Sequence, residues 1–132
     1  MRKPAAKEGD QILATDTHIV MVPTPGGLVP TPLLHPFKGI INDGLSTNVK
    51  IMGKRAATVG SSAANGPAHV PTAPGTSFQN PPKNKGTITV GSGTVRINGK
   101  AAARAGDVAE TCNDPADAPV GKVVAVGSVL FG

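Results

Sequence analysis

Four side chains in this sequence have the chemistry to hold a transition-metal ion. They are the three histidines and the only cysteine: His18, His35, His69 and Cys112. Zinc prefers four nitrogen or sulfur ligands at the corners of a tetrahedron, and a structural zinc site uses all four positions. Three imidazoles and one thiolate are therefore a complete ligand set for a structural zinc ion.

Other interpretations fit the same four residues. No two of them have the close spacing of a C-x-x-C or H-x-x-x-H pair. The histidines could be loop residues bonded to carbonyl groups, and Cys112 a small buried apolar side chain. A catalytic zinc with three histidines and an open water position, or a thiol nucleophile paired with a histidine, would make the protein a hydrolase. Cys112 disfavours the open site, because a fourth protein ligand closes it.

An internal repeat must position these side chains. Residues 46–60, STNVKIMGKRAATVG, align without gaps on residues 92–106, SGTVRINGKAAARAG. Two shorter segments echo the same unit: PAAKEGD near the N-terminus parallels AAARAGD, and VAVGSVLF near the C-terminus resembles ITVGSGTV. The predicted pseudo-repeats occupy about 4–20, 45–69 and 86–131.

Each full copy reads as a strand followed by a turn. In NVKIM and TVRIN, apolar residues alternate with polar ones, which is the period of a half-buried strand. Gly53 and Gly99 then supply the turn. The alanine-rich run after each glycine is shorter than the ~12 residues that an isolated helix needs. We therefore predict a turn-like segment of small side chains that lets backbones pack closely.

Two proline-rich stretches, residues 22–39 and 65–86, lie outside the repeat. Proline withholds an N–H donor and fixes φ, so both are predicted to be ordered loops that cover sheet edges. The whole chain has 17 glycines and 13 prolines, which disfavours long helices. We predict a mainly β fold of short strands with little helix.

Length and charge limit the function further. A chain of 132 residues fits a single domain over residues 1–132, with no room for a second catalytic or toxin domain. The net charge of +5 is scattered, and the only aromatic residues are three phenylalanines, so a nucleic-acid partner is not expected. A basic nucleic-acid-binding module stays open as an alternative. The N-terminus lacks the apolar stretch of a signal peptide.

The order of these motifs resembles the PAAR-repeat proteins, which form the sharpened tip of contractile injection machines. The motifs are PAAKEGD, V-x-I-x-G-K-x-A-A in two copies, and KAAAR-x-GD followed by a cysteine. The resemblance implies a small conical fold whose base caps a trimeric β-helical spike, with one tip chain per spike trimer. It also implies a structural zinc ion near the apex, with His18, His35, His69 and Cys112 as ligands.

The resemblance further implies a membrane-piercing tip with no enzymatic activity. Such a protein is made in the bacterial cytoplasm, joins the tip of the particle and is delivered outside the cell or into a target cell. Its expected partners are the spike, transiently the target membrane, and effector proteins that bind to the tip. No nucleic acid is expected among them.

The sequence departs from the family motif in each copy. The arginine is replaced by Lys7 in the first copy and by Thr58 in the second, and the proline by Ala101 in the third. Only Arg104 keeps the arginine. The proline-rich insertion around His35 is more typical of tips of phage-tail-like extracellular systems than of type VI secretion tips.

Overall fold

The computed structural model describes residues 2–132, which contain strands, turns and irregular segments but no helix. The predicted mainly β class is confirmed. No helix in this range is long and apolar enough to cross a membrane. The strands are β1 Lys3–Pro4, β2 Gln11–Thr24, β3 Gly27–Asp43, β4 Lys50–Ile51, β5 Lys54–Arg55, β6 Ser62–Asn65, β7 Ser77–Phe78, β8 Lys85–Ile88, β9 Arg96–Ile97, β10 Lys100–Ala101, β11 Val108–Thr111, β12 Ala118–Val124 and β13 Leu130–Phe131.

Seven strands form one antiparallel sheet in the order β12-β11-β8-β6-β3-β2-β7. Strand β12 also pairs with β2, where Lys122 lies opposite Leu13, so six of the strands close into a ring. Alternate residues of each strand face the interior of this ring, and the apolar ones pack there. The resulting main core consists of Ala6, Ile12, Phe37, Ile41, Ala57, Ala63, Ile88, Ala103, Ala109, Cys112, Val123 and Ala125.

Strands β2 and β3 form one long hairpin, with 14 and 17 residues, and are longer than the short strands predicted. The prediction that residues 22–39 form a loop is wrong, because most of that stretch belongs to this hairpin. Its prolines Pro30, Pro32 and Pro36 are exposed, and β6 pairs with β3 only further along, from Gly39. A strand tolerates proline where no second partner needs its N–H. Most of residues 65–86 is irregular, as predicted, apart from β7 and the start of β8.

The repeats appear as three small hairpins. Strands β4–β5 and β9–β10 are joined by two-residue turns whose central residues all have positive φ, namely Met52 (52°) with Gly53 (81°) and Asn98 (53°) with Gly99 (79°). This is the pattern of a type I′ turn, so the turns predicted at the two glycines are confirmed. The third pair joins β1 with β13, two segments from opposite ends of the chain, and has the strand pairing of a hairpin without its connecting turn; it is counted below with the two hairpins.

Backbone hydrogen bonds relate the three copies by a closed cycle. The N–H of Ala6 donates to the carbonyl of Ala103 at 3.0 Å, that of Ala103 to Ala57 at 3.1 Å, and that of Ala57 to Ala6 at 3.1 Å. Three β-bridges repeat the same cycle through the flanking residues: Ala5–Arg104, Lys7–Ala56 and Thr58–Ala102. The segment KAAAR is therefore extended backbone. It is not a helix, as predicted, but neither is it a turn.

The alanines of this cycle separate two apolar clusters. Successive residues of extended backbone point to opposite sides. Ala6, Ala57 and Ala103 therefore contribute to the main core, while the preceding alanines face away from it. These form a second group, here called the base cluster: Ala5, Val49, Ile51, Ala56, Val95, Ile97, Ala102, Val129 and Phe131.

Candidate metal centre

The inner face of the β2–β3 hairpin carries polar side chains beside its apolar ones. Asp16 and His18 are two residues apart on β2 and therefore share a face, and Asp16 lies directly opposite His35 on β3. All three side chains are at most 1% exposed. The strand alternation that buries Ile12 and Val20 thus also buries a carboxylate and two imidazoles.

His69 reaches this face from the irregular segment between β6 and β7. Its backbone N–H donates to Oδ1 of Asn84 at 2.8 Å, which anchors the segment. The side-chain amide of Asn65 lies 3.2 Å from Nδ1 of His69, and Nε2 lies 2.8 Å from Oδ2 of Asp16. The imidazole is therefore held between an amide and a buried carboxylate.

Cys112 follows β11 directly, and the next two residues fasten its segment to β2. Oδ1 of Asn113 accepts the N–H of Thr17 at 2.6 Å, and Oδ2 of Asp114 accepts the N–H of Ile19 at 2.9 Å. The thiol of Cys112 is 1% exposed and its sulfur lies 3.5 Å from Oδ2 of Asp16. Four side chains from three segments that are distant in sequence thus meet at one point.

Asp16, His18, His69 and Cys112 each place one ligand atom within 4.8 Å of the others. A carboxylate oxygen, two imidazole nitrogens and a sulfur can hold a metal ion, and zinc accepts all three donor types. The Thr111 hydroxyl donates to Oδ1 of Asp16, which leaves Oδ2 facing the cluster. Outer hydrogen bonds of this kind orient ligands in metal sites.

His18 provides a direct test of whether a metal fits. Both its ring nitrogens are buried, and neither has a hydrogen-bond partner within residues 2–132. Nδ1 lies 3.5 Å from a carboxylate oxygen of Asp114 and Nε2 lies 4.0 Å from one of Asp16, without hydrogen-bond geometry. Leaving a buried polar group unpaired costs about 1–3 kcal/mol. A cation between the ligand atoms would supply a partner for one of the two nitrogens, so the residues fit a metal ion.

Burial also sets the protonation of two of these groups. The pKa of His18 is lowered, chiefly because burial disfavours the charged imidazolium, and the nearby His69 adds to this effect. At neutral pH His18 therefore keeps a free lone pair. Burial, assisted by Asp16, raises the pKa of the Cys112 thiol to about 11. A divalent cation opposes the effects of burial and of Asp16 on Cys112, because it stabilises the thiolate.

His35 lies beside this group and is bonded elsewhere. Its Nδ1 is 2.9 Å from the carbonyl oxygen of Leu33, and its Nε2 accepts the N–H of Thr72 at 3.1 Å. The structure thus brings His18, His69 and Cys112 together, as expected from the sequence, with His35 at the edge of the cluster. Ligation by His35 stays a prediction.

Asp16 is a candidate ligand that was not predicted from the sequence. Its signal lies in the pattern ATDTHIV, where Asp16 and His18 occupy the same alternation as the buried Val20. A carboxylate on the apolar face of a strand is rarely fully buried unless it is paired. The D-x-H spacing therefore indicates that Asp16 shares the buried face with His18. Three histidines and one cysteine already made four expected ligands, so Asp16 was not counted among them.

The fold and this cluster together define a small β protein with three internal copies of one unit and a buried group of metal-ligand side chains. A family model described as the PAAR motif matches residues 21–107, which is more than half of the chain. The chain therefore belongs to the PAAR motif family, and the resemblance seen in its sequence is confirmed. No curated protein and no solved structure matches the chain.

The matched range includes the second and third alanine pairs, at Ala56–Ala57 and Ala102–Ala103. The first pair, at Ala5–Ala6, lies outside it. The equivalence of this first copy rests on the hydrogen-bond cycle that links all three.

Proposed function

We propose that this protein is the tip of a contractile injection machine, where one chain caps a trimeric spike and a structural zinc ion stabilises the fold. The closed hydrogen-bond cycle between Ala6, Ala57 and Ala103 is the observation that carries the proposal. Membership of the PAAR motif family fits a spike-tip role in an injection or secretion machine. No reaction is assigned to the protein in this role.

The cycle matters for function because it relates the three copies in a way that matches the symmetry of a trimeric spike. The end of a trimeric spike presents every chemical group three times, whereas a single capping chain has no exact symmetry. Three equivalent hairpins, β4–β5, β9–β10 and β1–β13, allow one chain to offer a nearly three-fold surface. The base cluster lies under these hairpins, so we assign docking to this end of the protein.

We propose that His18, His69 and Cys112 are zinc ligands and that Asp16 supplies the fourth donor. In a fold with few large apolar side chains, structural zinc supplies folding free energy, on the order of 10 kcal/mol in small metal-dependent peptides. The ligands come from β2, from the segment after β6 and from the residue after β11. These segments are therefore the ones that the site would hold together under mechanical load.

His35 is the second candidate for the fourth ligand, because its ring lies close to those of His18 and His69, although its two nitrogens are bonded to Leu33 and Thr72. Their ring centroids are separated by 4.9 Å for His18–His69, 5.4 Å for His18–His35 and 5.6 Å for His35–His69. Imidazoles bound to one tetrahedral zinc at about 2.0 Å have centroids roughly 5 Å apart. The three rings already satisfy this condition.

The outer end of the long hairpin has a composition that suits transient contact with a membrane. Residues 17–37, which include the turn of this hairpin, contain no lysine, arginine, aspartate or glutamate. Leu28, Val29 and Leu34 are exposed there. Charged side chains are costly in hydrocarbon, so an uncharged end crosses lipid at less cost than the basic remainder of the chain. Effector binding and the subtype of the machine stay predictions.

Metal analysis of the purified protein tests the zinc part of the proposal. We expect one zinc per chain in the wild type and loss of that zinc in Cys112→Ser. Asp16→Asn and His35→Gln separate the two candidates for the fourth ligand, because only substitution of the true ligand should lower zinc affinity strongly. Wild-type protein that folds fully without zinc and takes up none would contradict the site.

Binding to the purified trimeric spike protein tests the capping role. We expect a stable complex in which the tip competes with other tip molecules for a single position per trimer. Absence of binding at physiological salt would contradict the proposal. A thiol hydrolase would instead show alkylation of Cys112 in the folded protein, which we do not expect because the side chain is 1% exposed. A zinc hydrolase would instead show an exchangeable water on the metal.

A further inference from the structure

Few positions carry the same residue in all three copies of the repeat, and they are informative. The hydrogen bonds and strand pairings fix the equivalences without reference to residue type. The identical sets are Lys3/Lys54/Lys100, Ala5/Ala56/Ala102, Ala6/Ala57/Ala103, Gly9/Gly60/Gly106 and Val49/Val95/Val129.

The fold itself explains four of these five sets. The alanines are buried where the copies meet, and the valines pack against the base cluster. The glycines all have positive φ, at 93°, 98° and 84° for Gly9, Gly60 and Gly106, which favours glycine. The lysines have no such reason, since the fold needs neither their length nor their charge. Other positions, such as Lys7, Thr58 and Arg104, differ between copies.

The three lysines, here called the lysine triad, surround the base cluster. Lys3 pairs with Phe131, Lys54 with Ile51 and Lys100 with Ile97 across their hairpins. Directly opposite residues of an antiparallel pair project from the same face, so each lysine lies on the face that contributes to the base cluster.

The lysine triad has no acidic partner within residues 2–132. Lys54 and Lys100 are exposed and Lys3 is half-buried, and none of their amines lies within 4.0 Å of a carboxylate oxygen. Glu8, the acidic residue of the first copy, is bonded to Arg55 at 2.8 Å. Three like charges therefore surround one apolar cluster, and none of them forms an ion pair among residues 2–132.

We propose that the lysine triad binds three equivalent carboxylates, one from each subunit of the trimeric partner, around an apolar centre. This inference rests on the proposed capping function and adds the chemistry of the partner surface. A three-fold partner can satisfy a side chain of the cap equally only where all three copies carry the same group. The lysine is the charged side chain that meets this condition. Complementary charges of this kind favour the correct partner and register over others.

The test compares two triple variants with the same change in net charge. The first is Lys3→Glu, Lys54→Glu and Lys100→Glu; the control changes the exposed Lys38, Lys85 and Lys122 to glutamate. Affinity for the purified trimeric spike protein is measured over a range of salt concentrations, and folding is checked by circular dichroism. Lysine-to-glutamine versions of both triples serve where a glutamate variant fails to fold.

We expect the triad variant to bind the spike about 10- to 100-fold more weakly at low salt, with a flatter salt dependence, and the control to stay within about 3-fold. If both triple variants bind the spike as tightly as the wild type, the proposed role of the lysine triad is refuted and the capping function is left intact. A wild-type tip that does not bind the spike at all would overturn both. Equal weakening of both triples would assign the effect to net charge and also refute the triad.

Discussion

Substituting an alanine at the meeting point of the three copies should unfold the protein at a lower temperature. Ala6, Ala57 and Ala103 are fully buried, with 0% exposure, and each N–H bonds to the next copy. Ala57→Val adds two methyl groups at a point where backbones from all three copies approach each other. Valine suits extended backbone, so the expected loss comes from overpacking alone.

Overpacking of a tight core typically costs about 1–3 kcal/mol of unfolding free energy. For a domain of this size, 1 kcal/mol corresponds to roughly 4 °C, so Ala57→Val should lower the melting temperature by about 4–12 °C. Ala64→Val is the matched control, because Ala64 is exposed on strand β6. Its effect should stay within about 0.5 kcal/mol.

Thermal and urea unfolding, both with saturating zinc, measure the difference. The two variants should bind zinc equally, since neither residue supplies a ligand atom or a side-chain hydrogen bond to one. If Ala57→Val has the same melting temperature and free energy of unfolding as Ala64→Val, the three copies do not pack as tightly as the hydrogen-bond cycle requires.

Three further outcomes follow from the same structure. His18→Leu should leave the metal-free protein as stable as the wild type or about 1 kcal/mol more stable, because it removes two unpaired buried nitrogens, yet it should abolish the rise in melting temperature with zinc; a large loss of stability without metal would contradict this. In metal-free protein the folded-state pKa of Cys112 is raised from 9.0 to about 11, so the contribution of this thiol to the free energy of unfolding is complete below pH 9 and is lost as the pH rises toward 11. Cys112→Ala should therefore flatten the stability curve between pH 9 and 11, measured with chelator. Met52→Asn should raise the unfolding free energy by a few tenths of a kcal/mol and Gly99→Ala should lower it by about 1–2 kcal/mol, because both positions have positive φ; denaturant unfolding that gives the opposite order would refute the turn assignment.

The internal repeat is the part of the fold that the sequence predicts best. Matching residues in the copies identify the hairpins and their turns, because asparagine-glycine between alternating apolar residues directly favours a type I′ turn. The small alanines indicate close packing, although the sequence does not reveal which backbone groups they bring together. That pairing involves residues about 50 to 100 positions apart.

The long hairpin was harder to predict, for a physical reason. Proline usually marks a loop, but Pro30, Pro32 and Pro36 lie on an edge that needs no N–H donors. Whether a strand has such an edge depends on how far its second neighbour extends, and β6 pairs with β3 only from Gly39 onward. Asp16 was missed for a related reason, since its importance appears only when His69 and Cys112 meet it in the fold.

Native mass spectrometry of the tip with its trimeric spike tests the central claim most directly, because one spectrum reports both the subunit ratio and the bound metal. A complex of three spike chains, one 13.2 kDa tip chain and one zinc ion is the result that we expect. Three tip chains per trimer, or a spike that retains no tip, would contradict the account.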